Sequence, residues 1–402
     1  MCAGASARER KGMDGTVHLA RLQFALTAGS HFLFVALTLG LVTLVALLQT
    51  RATLTHSELH ARMVRFWGGL YVINYVMGII TGLVMEFQFG TNWSGLLEVT
   101  SGVFGVPLAL ETIGAFFIES TFLGLWIFGW GRFSPRVHLA MIWVVALTAY
   151  ASAFFIMVTN GWMQRPVGHV MENGQARLAD LGALLTNPTG LLAFGHVLFA
   201  ALLTAGLFMA AVSAYHLRRN TAENEFFRRG LRTGMLTVLL SLMPAASFGG
   251  VQFDYLQDTK RAPLVSPLAQ AGEVLMLLSW QLITFLSLWF LVKFCYRPRR
   301  FGRVFLLTTM AALPLPYLAM ISGWVYREVG RQPWAVYGLL RTEDAVSPLS
   351  ANEAWLSFGV FVPLFAVLVT VNFWLLFRHA RRGPQSADAP HAEPAPLPVP
   401  TF

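Results

Sequence analysis

Apolar residues come in nine long runs, at about 22–49, 66–85, 104–129, 137–159, 189–215, 231–249, 266–294, 302–325 and 353–377. Runs of about twenty such residues match the length of an α-helix crossing the hydrocarbon core of a bilayer. The pattern predicts an all-α, polytopic integral membrane protein with about nine transmembrane helices, folded as one membrane domain over 13–384. Residues 164–188 are too polar to cross and predict a surface loop with a short helix. There is no internal repeat and no inserted hydrophilic domain. Residues 1–12 (MCAGASARERKG) read as a disordered extension or as a start placed ahead of Met13. The Pro- and Ala-rich stretch after Arg382 predicts a disordered tail over 385–402.

Composition agrees with this picture. Of 402 residues, 55% are hydrophobic and 12% charged, about half the charged share usual for soluble domains. Two cysteines, Cys2 and Cys295, support neither a disulfide framework nor a thiolate metal site. The first apolar run is too long for a cleavable signal peptide. The net charge of +9 follows the membrane rather than nucleic acid. Arg51, Arg62, Arg65, Arg132, Arg136, Arg218, Arg219, Arg228, Arg229, Arg232, Lys293, Arg297, Arg299, Arg300, Arg303, Arg378, Arg381 and Arg382 fall on one side. Arg21, Arg165, Arg177, Lys260, Arg261, Arg327, Arg331 and Arg341 fall on the other. Because the richer side faces the cytoplasm, the N-terminus is expected outside and the C-terminus inside.

Polar residues inside the spans need a partner or a task. His31 lies within the first run, where imidazole calls for a hydrogen-bond partner on a neighbouring helix or for a metal. The third run carries Glu111 and Glu119. In an ideal helix these are about 12 Å apart along the axis and roughly 80° apart around it. That spacing suits two stations of a proton path better than one metal clamp, with an ion pair to another helix as the alternative. His196 stands near the start of the fifth run. The eighth run ends in GWVYREVGRQPW (323–334), where Glu328 lies between Arg327 and Arg331, a setting that can hold a carboxylate ionised. The same cluster fits charges at a helix end reaching for the membrane surface. The other histidines (His18, His56, His60, His138, His169, His216, His379 and His391) fall in loops or at helix ends and are expected to be solvated.

The 323–334 segment resembles the one near the last helices of subunit I of cytochrome bd, a heme-containing quinol oxidase. MEFQFGTNW (85–93) and NGWMQRP (160–166), which the hydropathy pattern places in loops, also resemble motifs of that family, as does the run around His31. The likeness extends from about Met13 to Pro384. It implies that Glu328 and His31 ligate the two high-spin hemes, that Trp324 lies between hemes, and that Arg331 balances carboxylate or propionate charge. It also implies a place for Glu111 beside a high-spin heme, for Glu119 on a proton channel, and for His196 as ligand to a low-spin heme b next to the quinol site. The implied cofactors are heme b and heme d, or a second high-spin heme b in place of heme d. The implied partners are subunit II, quinol, dioxygen and the lipid of the bacterial cytoplasmic (inner) membrane.

Two departures stand out. The family has a methionine on the seventh helix, two residues after an arginine; the best register puts Ile283 and Gln281 there. On that register the low-spin site is absent, or its heme is open to carbon monoxide. The family's long quinol loop is reduced to little more than QDTK (257–260), leaving Lys260 as the candidate quinol contact. The expected function is therefore subunit I of a bd-type quinol:oxygen oxidoreductase. One alternative is a relative fed by another redox protein; another is a membrane scaffold or transporter without catalysis.

Overall fold

The computed structural model describes residues 7–221, 223–257, 266–296 and 301–384. Among them, nine helical segments are long and apolar enough to cross a membrane. They are α1 (Ala7–Thr55), α2 (Glu58–Asn92), a third crossing, α5 (Pro135–Gln164), α7 (Pro188–Arg218), α8 (Asn224–Gln257), α9 (Pro267–Tyr296), an eighth crossing and α13 (Ala351–Arg382). The third crossing is α3 (Ser94–Ala109), a π-helical stretch (Leu110–Phe116) and α4 (Phe117–Phe128). The eighth is α10 (Arg303–Ala311) and α11 (Leu315–Arg331), broken where Pro314 and Pro316 remove backbone donors. α1 is helical from Ala7, so it takes in part of the stretch expected to be disordered. The tail over 385–402 and Lys260 lie outside the described residues.

α1 and α7 form the centre. The apolar windows of their crossings are 67% and 72% buried, against 17–33% for the others, whose outer faces meet lipid. Between helices in lipid, packing rather than hydrophobic transfer drives association, and small residues let backbones close up. A Cβ built at Gly40 of α1 would lie 2.1 Å from the Ala201 carbonyl oxygen of α7. One at Gly234 of α8 would lie 2.4 Å from the Gly206 carbonyl oxygen of α7. Side chains larger than hydrogen at either place would force the helices apart.

At the end holding the N-terminal half of α1, two hairpins cap the bundle. β1 (His169–Glu172) pairs with β2 (Gln175–Leu178) through Asn173 and Gly174, both at positive φ, and the short α6 (Leu181–Leu185) follows. The stretch expected as loop plus short helix is thus a hairpin plus short helix, set by an Asn-Gly turn. Beyond α11, β3 (Trp334–Val336) pairs with β4 (Leu340–Arg341), and the single-turn α12 (Thr342–Ala345) leads to α13. The two motifs expected in loops are helix ends instead: α2 runs through Asn92 and α5 through Gln164.

Candidate functional site

The hairpin end of the bundle gathers the polar side chains that α1, α2 and α11 carry inward. At the close of α11, Arg331 donates to Glu328, one turn back, and both side chains are largely buried. Arg327 also reaches α8, where its Nη1 donates to Gln252 Oε1 at 3.3 Å. Trp324, one turn before Glu328, sets its ring against Phe32 and Phe24 of α1, at centroid distances of 5.4 and 6.4 Å. α11 and α1 thus meet edge to face beside Glu328.

On α1, His31 Nδ1 lies 2.9 Å from Thr81 Oγ1 of α2. Thr81 Oγ1 also lies 2.8 Å from the Met77 carbonyl oxygen and 3.0 Å from that of Gly78, either of which can accept its proton. With the proton so placed, the threonine accepts from Nδ1–H and the lone pair of His31 is on Nε2. His196 on α7 reaches the same state by another route: its Nδ1 lies 2.8 Å from the Ala245 carbonyl oxygen, which can only accept. Metal-binding imidazoles are commonly fixed this way, one nitrogen donating to an oxygen and the other presenting its lone pair. Gly249 lets α8 approach the second ring; a Cβ there would lie 2.9 Å from His196 Nδ1.

Other histidines contrast with these two. His138 is buried, with Gln49 Nε2 at 2.8 Å from its Nδ1 and the Trp126 carbonyl oxygen at 2.8 Å from its Nε2. His216 is buried with Nε2 donating to the Ala380 carbonyl oxygen, and His60 is buried with Nδ1 beside Ser57 Oγ. The expectation that all three are solvated is corrected: helix ends in a packed bundle need not be wet.

Glu111 sits in the π-helical stretch, where Ser152 donates to Oε1 at 2.6 Å and Thr112 to Oε2 at 3.0 Å. Such bulges inside α-helices recur at functional positions. This one also removes the regular turn on which the expected angle between Glu111 and Glu119 rests. Glu119 is 6% exposed at the start of α4.

On the seventh crossing, α9, Gln281 is exposed, while Ile283 is buried in an apolar cluster with Leu203, Leu207 and Leu286. Met276, two turns earlier on the same face, packs its sulfur against Gly323 of α11, where a Cβ would lie 2.7 Å from Sδ.

The sequence pattern described as cytochrome bd terminal oxidase subunit I matches residues 19–267 and 272–384. The chain belongs to that family. This subunit I chain is 32% identical to cytochrome bd ubiquinol oxidase subunit 1 of Bacillus subtilis, over 91% of the chain and 93% of the relative. It is 29% identical to cytochrome bd-II ubiquinol oxidase subunit 1 of Escherichia coli, over 94% and 98%. That alignment spans 507 positions, so the Escherichia coli protein carries stretches with no counterpart in this chain of 402 residues. The fold matches bd oxidase from Geobacillus thermodenitrificans with TM-score 0.83 at 23% identity, over 93% of the chain and all of that structure. The chain is thus an integral membrane protein of an oxidoreductase family that works with hemes.

The subunit I residues fit such a group. Among the described residues, no cluster of three or more His, Cys, Asp or Glu is able to hold a bare metal ion. The donors stand singly on separate helices, as suits iron whose equatorial positions a porphyrin fills. Glu328 Oε1, Arg331 Nε and Nη1, Gln88 Nε2, Gln23 Oε1 and Trp93 Nε1 are buried without a hydrogen-bond partner among the described residues. Buried polar atoms of this kind are costly unless satisfied. Carboxylate-bearing, iron-centred macrocycles would satisfy several of them.

Proposed function

We propose that this subunit I holds the hemes of a bd-type terminal oxidase, which passes electrons from quinol to dioxygen and forms water with protons from the cytoplasm. The observation that carries the reading is that His31 and His196, half-buried within membrane-spanning helices, both have Nδ1 within hydrogen-bonding distance of an oxygen, which leaves Nε2 to present a lone pair. Bound heme supplies electron storage and the oxygen-binding iron. His31 and Glu328 would hold the high-spin hemes, one of them heme d or both heme b. His196 would hold a low-spin heme b; Ile283, at the position where the family has methionine, cannot ligate iron, and Met276 is the thioether on the same face of α9 two turns away.

The rest of the mechanism lies with the chain. Thr81 and the Ala245 carbonyl orient the two imidazoles. Arg331 offsets the charge of Glu328 in a site from which water is largely excluded. Trp324 fills the gap between α1 and α11 with an aromatic ring in place of water. Glu119, buried in α4, and Glu111, held by Ser152 and Thr112, would take up and pass protons inward. We place the chain in the bacterial cytoplasmic membrane, N-terminus outside, paired with a smaller subunit II.

Quinol is the proposed donor, with Lys260 as its contact. The length difference from the Escherichia coli relative favours a second reading, in which another redox protein delivers the electrons. Purified complex in lipid nanodiscs should consume oxygen when given a short-chain quinol. Oxygen consumption with reduced cytochrome c but not with quinol would replace the donor while keeping the hemes. Absence of heme would remove the proposal altogether.

A further inference from the structure

Three buried polar atoms stand in a row on α2 without a bond to make. Trp67, Tyr71 and Tyr75 follow one another at four-residue intervals, so they share a face and rise about 6 Å per step. All three side chains are buried. Trp67 Nε1, Tyr71 Oη and Tyr75 Oη find no hydrogen-bond partner among the described residues. The two phenol rings lie 5.7 Å apart between centroids. A buried polar atom left unpaired is costly, and water commonly fills the vacancy.

The row leads both ways. Towards the arginine-rich end of the bundle it meets α7 and α8, where a Cβ at Gly230 would lie 2.4 Å from Ser213 Oγ and 3.4 Å from Trp67 Cζ2. Ser213 Oγ is likewise buried and without a partner. One turn nearer the end of α7, His216 stacks on Phe227 and gives Nε2–H to the Ala380 carbonyl. Its buried Nδ1 is left as an acceptor with no donor. Towards the middle of the bundle the row meets α4. Successive crossings are antiparallel, and these two touch where a Cβ at Gly68 would lie 2.6 Å from Trp126 Cη2. Seven residues on along α2 stands Tyr75, and seven back along α4 stands Glu119, so the two lie at one level. The buried Glu119 carboxylate is close enough to act electrostatically on both phenols.

We propose that buried water joins these atoms into a file that carries protons from the arginine-rich end, within this subunit, to Glu119. The inference rests on the reading of Glu119 as a proton station. Each member has a part that its chemistry allows. A phenol or serine oxygen takes a proton from the water on one side and releases its own to the other, so no charge stays behind. His216 Nδ1 takes up a proton and returns it. Trp67 Nε1–H only donates, and so orients a water without relaying. One water, with bonds of about 2.8 Å on either side, spans about the 6 Å step of the row.

The test uses the purified complex with its hemes. Because the two phenol hydroxyls bond to no other residue, the Tyr71→Phe, Tyr75→Phe double variant should keep parental heme content and melt no lower than the parent. Its turnover should fall by about tenfold or more. The ratio of rates in light and heavy water should rise, because proton delivery becomes limiting. Tyr317→Phe is the control. It also removes a buried, unpartnered hydroxyl, but from α11 beside Phe373 of α13, and should keep parental turnover. Hydroxyl-radical footprinting reads the water itself, independently of turnover: Tyr71 and Tyr75, closed to bulk solvent, should be oxidised by radicals formed in place. A double variant with parental turnover and isotope ratio, beside a slowed Glu119→Gln, would overturn the file alone. Parental turnover in Glu119→Gln would overturn the reading beneath it, and with that the end point of the file. Absence of label on both tyrosines, or equal slowing in Tyr317→Phe, would also overturn the proposal.

Discussion

Gly249→Ala tests the His196 site with one methyl group. The added Cβ would lie 2.9 Å from His196 Nδ1 and 3.0 Å from Cε1, whereas carbon atoms pack at about 3.5–4.0 Å. The ring must retreat by roughly 0.5 Å, well beyond the ~0.2 Å that metal–ligand distances tolerate, or rotate and give up its bond to the Ala245 carbonyl. Overpacking of this kind costs about 1–3 kcal/mol, and replacing a helical glycine by alanine returns about 1 kcal/mol. The net effect on folding is at most about 2 kcal/mol, while the effect on the imidazole is decisive. Gly250 supplies the control, since a Cβ there meets nothing within 4 Å. Reduced-minus-oxidised spectra of the two variants, normalised to protein, should show the low-spin b band diminished or shifted in Gly249→Ala and intact in Gly250→Ala. A full, unshifted band in Gly249→Ala would refute the placement of heme at His196.

Three further outcomes follow from the geometry. His31→Ala should remove one high-spin heme signal and abolish oxygen consumption, while Thr81→Val, which leaves the ring but not its partner, should weaken heme retention by about 10–100-fold; retained spectra in both would dismiss His31 as a ligand. If Met276 completes the low-spin site, Met276→Leu should lose the low-spin band or make its heme reactive to carbon monoxide; a parent protein without that band, in which Ile283→Met introduces one, would place the empty ligand position at Ile283. Glu119→Gln keeps shape but carries no proton, so turnover should slow with heme content nearly unchanged, and loss of heme at unchanged turnover per heme would make the residue structural.

Most of the architecture was legible because a helix that must satisfy its own backbone in lipid announces itself as an unbroken apolar run. What the runs conceal is where they break. The π-helical stretch around Glu111 has no hydropathy signature, and the break between α10 and α11 lies inside a run that reads as one helix, although Pro314 and Pro316 stand at it. Asn173 and Gly174 offered a hairpin signal that a reading based on polarity passed over. His31, His196 and Glu328 were visible as polar residues in apolar runs. Their supports were not: the Ala245 carbonyl is backbone, and Thr81 is one hydroxyl among many. On α9 the sequence offers less: a helix rich in Leu, Ile and Phe gives alignment few fixed points, and a shift of two turns keeps the same face and leaves the pattern undisturbed. Ile283 is buried in the core, and Met276 packs its sulfur against Gly323 of α11.

The central claim, that this chain binds heme through His31 and His196, is met most directly by a pyridine hemochrome heme count on purified protein and its two histidine variants. The account predicts more than one heme per parent chain, with one lost in His31→Ala and a different, low-spin one lost in His196→Ala. A parent chain without heme, or the same count and spectrum in all three proteins, would contradict it.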